Sequence, residues 1–217
     1  MTAQKKSIPK KIELYFDILY LLTAVCIGIY LLITAKDSTA RLLWGIMSLT
    51  LAGGDAFHLI PRILAAASGD AERFRKSMGY GKMLTSITMT LFYLFLWHCG
   101  LLLFAQSFPR CTVFIWILAA LRIALCLFPQ NKWTSATPNY AWGIWRNLPF
   151  AAMGAMVLIL FARFATQNLK FMWLAILLSF AFYIPVVLWA NKHPKLGMLM
   201  LPKTLAYVWM LTMGLRL

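Results

Sequence analysis

The chain has 217 residues, of which 62% are hydrophobic and only 12% are charged. An ordinary soluble domain is about half apolar and about a quarter charged, so this composition excludes a soluble globular protein, a disordered chain and a disulfide-stapled secreted module. The formal net charge of +15 comes from basic residues scattered over polar links, without a nucleic-acid-binding motif. We therefore predict an all-α, polytopic membrane protein whose partners are membrane lipids, with no nucleic acid.

Seven segments are long and apolar enough to cross a bilayer, for which about 20 helical residues are needed. Their links are short, and neither a long linker nor an internal repeat divides the chain. This pattern predicts one domain over residues 1–217, a bundle of seven transmembrane helices. The predicted spans are Leu14–Thr34, Leu42–Ala67, Met83–Phe104, Thr112–Phe128, Leu148–Phe164, Phe171–Ala190 and Leu196–Leu215.

Basic residues in the links set the predicted orientation. They are about twice as frequent on the side of the N-terminus, where Lys5, Arg73 and Lys192 lie, as on the other side. The positive-inside rule then places the N-terminus in the cytoplasm and predicts a multi-pass protein of the bacterial inner membrane. The acidic residues Glu13 and Asp17, close to the lysine-rich terminus, are interpreted as interfacial.

The second predicted span carries the most informative polar residues. Ser48, Asp55, His58 and Arg62 are spaced so that all four share one helical face. A charge at membrane depth costs at least about 2.5–3.5 kcal/mol, so such residues usually have a function or a partner. We predict that Asp55 and His58 are catalytic residues and that Arg62 binds substrate.

Glycine and proline in the same span indicate how a ligand or a helix reaches this face. Gly53 and Gly54 remove side-chain bulk beside the acid and allow close approach to the backbone. Pro61 cannot donate a hydrogen bond to the carbonyl of Phe57, which leaves an acceptor free near Asp55.

Depth along the other spans predicts which residues join Asp55. The candidate substrate-binding residues on the third to sixth spans are Thr85, Ser86, Arg122, Arg146 and Tyr183. At 1.5 Å rise per residue, these polar groups converge with Asp55 in the cytoplasmic half of a hydrocarbon core about 30 Å thick. We therefore predict a polar intramembrane cavity that opens toward the cytoplasm.

A metal site is the tempting alternative chemistry. Asp55 and His58 could both face one ion, but His98, the nearest third ligand by type, lies more than about 10 Å from Asp55 in height. Two ligands do not make a site, so neither a metal nor another cofactor is predicted.

A purely structural interpretation also fits several of these residues. Asp55 can neutralise Arg122 or Arg62, and membrane-helix Ser and Thr usually bond to a carbonyl of their own helix. Lys203 follows Pro202 at a helix start and is interpreted as a lysine that snorkels to the interface.

The run Leu51–Arg62, LAGGDAFHLIPR, resembles the Gly-Asp-bearing helix of the YhhN (lysoplasmalogenase) family. Those are small multi-helix membrane proteins, some of which hydrolyse the vinyl-ether bond of lysoplasmalogens. A fainter similarity runs from Leu177 to His193, although the family's second intramembrane acid or amide is lacking at residues 179–181. The resemblance implies a lysolipid-like ligand and carries over one acid, Asp55.

Two functions follow from these patterns. In the first, the protein binds or hydrolyses a lysophospholipid-like amphiphile: Asp55 is the general acid toward the ether oxygen, His58 positions water or shares the proton, and Arg62 with Arg146 holds the phosphate. In the second, it is a small-molecule or proton-coupled transporter, or a non-catalytic membrane binding protein, in which Asp55 titrates or holds a cation. Whether the protein is an enzyme, and its oligomeric state, stay open.

Overall fold

The computed structural model describes residues 8–137, 139–190 and 192–217. Over these residues the fold is all-helical, with no strand, and seven helices are long and apolar enough to cross a membrane. The predictions of an all-α fold and of seven such helices are confirmed. The helices are α1 Ile8–Ile33, α2 Thr39–Ser68, α3 Ala71–Leu103, α4 Pro109–Leu127, α5 Tyr140–Phe164, α6 Met172–Trp189 and α7 Met200–Met213, and short 3-10 segments lie at Pro129–Asn131, Gln167–Leu169, Pro194–Leu199 and Gly214–Arg216.

Two helices begin well before the apolar segment that predicted them. Helix α3 starts at Ala71 instead of near Met83, since the Asp70 side chain accepts a hydrogen bond from the Arg73 backbone N–H (3.0 Å) and caps the helix. Helix α5 starts at Tyr140, capped in the same way by Asn139. Hydropathy locates the apolar part of a helix, whereas the cap determines where the helix begins.

Neighbouring helices in the chain pack against each other and close into a bundle. Helix α3 also contacts α5, and α7 returns to contact α1. We call the half of the bundle where α1 begins the proximal half and the opposite half the distal half. Consecutive helices alternate in direction, so the ends of α2, α4 and α6 and the starts of α3, α5 and α7 are proximal.

The apolar core lies mainly toward the distal half. Trp44, Leu96, Phe161 and Met172, all in distal segments of their helices, are completely or almost completely buried. The polar side chains nearer the proximal ends are mostly half-buried instead. The two halves therefore differ in character: one is a packed hydrophobic core, and the other keeps polar groups partly accessible.

Glycines bring α2 and α3 into close contact. A β-carbon on Gly54 would collide with the side chain of Thr88, and one on Gly81 would collide with the backbone carbonyl of Phe57. Gly54 thus allows the close helix approach expected from the sequence. The close contact at Gly81 places α3 over the carbonyl of Phe57, which lacks its helical donor because residue 61 is Pro61. Gly53, in contrast, has no atom of another residue close to its missing β-carbon.

Candidate functional site

Asp55 lies on the face of α2 that points into the bundle. The opposite face is an exposed stripe with Gly53, Phe57 (61% exposed), Ile60 and Leu64 at helical spacing. At about 100° per residue, Asp55 is rotated about 200° from Gly53. Asp55 as a whole residue is half-buried. Its side chain therefore points into the bundle and away from the exposed stripe.

A hydrogen bond from α1 orients the Asp55 carboxylate. The hydroxyl of Tyr20, itself buried, donates to Oδ2 over 2.6 Å, the short distance typical of an O–H group bonded to a charged acceptor. The Thr85 hydroxyl of α3 lies beside the same carboxylate and donates to the carbonyl of Gly54 (2.9 Å). Lys203 is the positive charge that acts on Asp55, although the two do not form a close ion pair.

Arg62 is paired with acids of α1 and not with Asp55. Its guanidinium forms an ion pair with Glu13 and lies 3.7 Å from Asp17. Asp17 is only 6% exposed, and both acids are partners of Arg62. Of the two structural pairs considered for Asp55, the one with Arg62 is not formed in the structure.

His58 turns toward α3. It interacts with the backbone of Met78 and with the charge of Lys82, and its Nδ1 atom has no hydrogen-bond partner among the described residues. Within that part of the chain no hydrogen bond joins His58 to Asp55. The two predicted catalytic residues thus share a helix face but have different neighbours.

The hydroxyl groups of α3 divide into two kinds. Thr85 bonds across to α2, as described above, whereas Ser86 donates to the carbonyl of Lys82 and Thr90 donates to that of Ser86, both within α3. Of the two α3 residues predicted to bind substrate, the structure brings Thr85 to Asp55 and leaves Ser86 bonded to its own helix.

Arg146 is held by the segment that follows α4. Its Nη1 donates to Oδ1 of Asn131 (2.7 Å), and its guanidinium carbon lies 4.1 Å from the ring centre of Trp133. The neighbouring residue on α5, Asn147, accepts a hydrogen bond from the hydroxyl of Tyr183 (2.9 Å). Arg146 and Tyr183 therefore lie close together through adjacent residues of α5, far along the chain from Arg62.

Arg122 is the most deeply buried charge in the described residues. It is 2% exposed, and its guanidinium carbon stacks 3.4 Å from the ring centre of Phe150. Neither Nε nor Nη1 has a hydrogen-bond partner in that part of the chain. Two cations, Arg146 and Lys203, lie near it, together with the polar side chains of Tyr183, Cys126 and Tyr207. Hence the second structural pair considered for Asp55, with Arg122, is not formed either.

Lys203 points into the bundle, contrary to the snorkelling interpretation. Its Nζ atom lies 4.8 Å from the ring centre of Tyr183 and 5.1 Å from that of Tyr207, a buried residue of α7. The ammonium group is near enough to interact with the charges of both Asp55 and Arg122. The sequence interpretation missed this inward position of Lys203, because a lysine near a helix end is usually interfacial.

Tyr20 is the other functional candidate that the sequence interpretation missed. A signal was present: Glu13, Asp17 and Tyr20 recur at helical spacing and continue into the buried residues Ala24 and Ile27. A polar stripe that runs into an apolar one marks the face of α1 that packs against α2.

The described residues contain no group of three His, Cys, Asp or Glu side chains placed to hold a metal ion. The Nδ1 atom of His98 is 2.8 Å from the carbonyl oxygen of Leu94, and its ring packs edge-on against Trp116. His98 therefore belongs to the α3–α4 contact and lies apart from Asp55.

An open apolar groove lies elsewhere, between α1 and α7 in the distal half. It is lined by Cys26, Ile27, Tyr30 and Leu215. These side chains include no carboxylate, imidazole or amine, and the groove is separate from the polar groups around Asp55.

Comparison of the chain with protein families, with curated proteins and with solved structures gives no match.

Proposed function

We propose that this protein binds a lysolipid-like amphiphile in the proximal half of the bundle, with Asp55 at the centre of the site, and that the reaction at this site is hydrolysis of a vinyl-ether bond. The proposal includes the setting inferred from the sequence: a multi-pass protein of the bacterial inner membrane with a cytoplasmic N-terminus.

One observation carries the proposal. Asp55 faces inward, is half-buried, and is bonded to a tyrosine hydroxyl rather than locked in an ion pair with an arginine. Tyr183 and Lys203, which are also half-buried, lie on the inward faces of α6 and α7. Partly accessible polar groups that face one another inside an apolar bundle suit a ligand with an apolar chain and a polar head.

The chemistry available to this arrangement is general acid catalysis. A protonated Asp55 would deliver its proton to the vinyl carbon β to the ether oxygen, where protonation of an enol ether leads to hydrolysis, and leave an oxocarbenium ion. Water would add to that ion and return a proton to the Asp55 carboxylate. The resulting hemiacetal would divide into a fatty aldehyde and the free glycerol hydroxyl. Tyr20 and Thr85 would hold the carboxyl group in position.

Purified protein in a neutral detergent, supplied with a choline or ethanolamine lysoplasmalogen, tests both parts of this proposal. We expect aldehyde release that falls at least about 100-fold in Asp55→Asn, the size of a lost general acid. Asp37→Asn, which changes an exposed acid in the link between α1 and α2, is the matched control and should retain activity. Retained lysolipid is measured in parallel by native mass spectrometry.

Each outcome tests a stated part of the proposal, either lysolipid binding or hydrolysis. Binding together with turnover that depends on Asp55 supports the whole proposal. Binding without aldehyde release overturns the hydrolase part and leaves a binding protein. Absence of lysolipid binding overturns the proposal entirely.

A second candidate, proton-coupled transport, is favoured by the facing charges of Asp55 and Lys203. They come from two different helices, α2 and α7, and protonation of the acid would remove the attraction between them. This function predicts proton flux in vesicles that depends on substrate and is lost in Asp55→Asn. Flux without aldehyde release would replace the hydrolase proposal.

A further inference from the structure

The balance of charges in the spans is incomplete without an anion. The whole chain contains six acidic residues, and Asp37, Asp70 and Glu72 lie in links or at a helix start. Of the remaining three, Glu13 and Asp17 are taken by Arg62. Asp55 is therefore the one carboxylate left for the other intramembrane bases.

Three bases compete for that one acid. We call Arg122, Arg146 and Lys203 the cationic cluster, because the charge of Arg122 acts on both of the other two. Asp55 acts on Lys203. Counted together with Arg62 and its two acids, these groups are three acids against four bases, an excess of one positive charge in an apolar setting, where an uncompensated charge is costly.

Arg122 shows where the missing anion would bind. The Phe150 ring covers one face of its guanidinium, and cation–π attraction offsets part of the cost of burial. The Nε and Nη1 donors, however, find no acceptor among the described residues, although the side chain is almost fully buried. Guanidinium groups bind phosphate and carboxylate oxygens with paired N–H donors, which is the pattern that Arg122 leaves unused.

The surroundings of Arg122 suit an oxyanion. Lys203 supplies an ammonium group from α7 and lies close to the ring of Tyr183, whose hydroxyl proton is donated to Asn147. Arg62 and Arg146, which the sequence suggested as phosphate ligands, are bonded instead to α1 acids and to Asn131.

We propose that Arg122 and Lys203 form a buried oxyanion subsite that binds the phosphate headgroup of a single-chain lipid. The inference rests on the proposed function, since it assigns the headgroup position of that same site. The acyl or alkenyl chain and the ether bond would then lie toward Asp55, whose charge acts on Lys203.

Calorimetric titration in a neutral detergent tests the subsite with three probes: lysophosphatidic acid, a monoacylglycerol with the same chain, and inorganic phosphate. We expect lysophosphatidic acid to bind and the monoacylglycerol to bind at least about 30-fold more weakly, as expected when a buried charged contact is lost. In Arg122→Gln, the affinity for lysophosphatidic acid should fall by a similar factor. Arg110→Gln, at the exposed distal start of the same helix, is the control and should bind like the unaltered protein.

Thermal unfolding separates binding from a structural role. Without ligand, Arg122→Gln should unfold at the same or a higher temperature, because a buried charge without a counterion has been removed. Lysophosphatidic acid should stabilise the unaltered protein and Arg110→Gln but not Arg122→Gln. If Arg122→Gln does not fold, Lys203→Gln gives the same comparison at the other cation.

The outcomes distinguish this inference from the proposed function. Equal affinity for the monoacylglycerol and the phospholipid, or affinity unaffected by both substitutions, overturns the oxyanion subsite even if lysolipid is hydrolysed. Binding of inorganic phosphate alone, lost in Arg122→Gln, keeps the subsite but assigns it to free phosphate and overturns the lipid function.

Discussion

Two adjacent glycines give the sharpest test of the packing between α2 and α3. In Gly53→Ala and Gly54→Ala the chemical change is identical, and both variants gain about 1 kcal/mol of helix propensity. The new methyl group of Gly53→Ala would meet open space, whereas that of Gly54→Ala would overlap the side chain of Thr88. Thr88 is β-branched and cannot easily swing aside, and overpacking of this kind costs about 1–3 kcal/mol.

The predicted quantity is the difference between the two variants, because the propensity gain cancels. We expect Gly54→Ala to be less stable than Gly53→Ala by about 1–3 kcal/mol, measured as free energy of unfolding in mixed micelles titrated with a denaturing detergent. Adding Thr88→Ala to both variants should remove most of that difference, since it deletes the clashing atoms. Equal stability of Gly53→Ala and Gly54→Ala would refute the close contact between the two helices.

Three further predictions concern the site and its orientation. Tyr20→Phe removes the hydrogen-bond donor to Asp55. If the carboxylate is charged, this substitution should lower the free energy of unfolding by about 1.5–3 kcal/mol in the same titration. A loss below about 0.5 kcal/mol would mean that the bond contributes little. Arg62→Gln leaves its two α1 acids without a counter-charge and should destabilise by about 1 kcal/mol, whereas Arg75→Gln, which breaks an exposed pair within α3, should change stability by less than about 0.5 kcal/mol. Cys111 is exposed at the distal start of α4, so a membrane-impermeant maleimide should label it from outside intact cells but not in Cys111→Ser; labelling only after lysis would reverse the proposed orientation.

The fold followed from the sequence because hydropathy depends on composition alone. A bilayer requires long apolar helices with short polar links, and each predicted span coincides with a helix of the structure. The starts of α3 and α5 did not follow, because Asp70 and Asn139 cap these helices outside the apolar runs. Hydropathy alone does not detect a residue that caps a helix.

The site was less predictable, for a geometric reason. Periodicity gave the face of α2 on which Asp55 and Arg62 lie, and the exposed stripe on the opposite face confirms that orientation. It could not say which helix each side chain meets. Tyr20 and Lys203 reach Asp55 from α1 and α7, and this proximity depends on how helices distant in the chain are rotated toward one another.

The close contact between α2 and α3 also determines how the molecule can adapt to a guest. Helices α2 and α3 touch closely at Gly54 and Gly81 and have little freedom to slide or separate. Asp55 and Thr85 should therefore form the rigid side of the site. Helix α6 contains Pro185, which removes one helical hydrogen bond, and α7 has only 14 α-helical residues, so we expect this pair to be the more mobile side of the site. A molecule that is too wide would then be accommodated by a hinge on the side of Lys203, while the acid keeps its place.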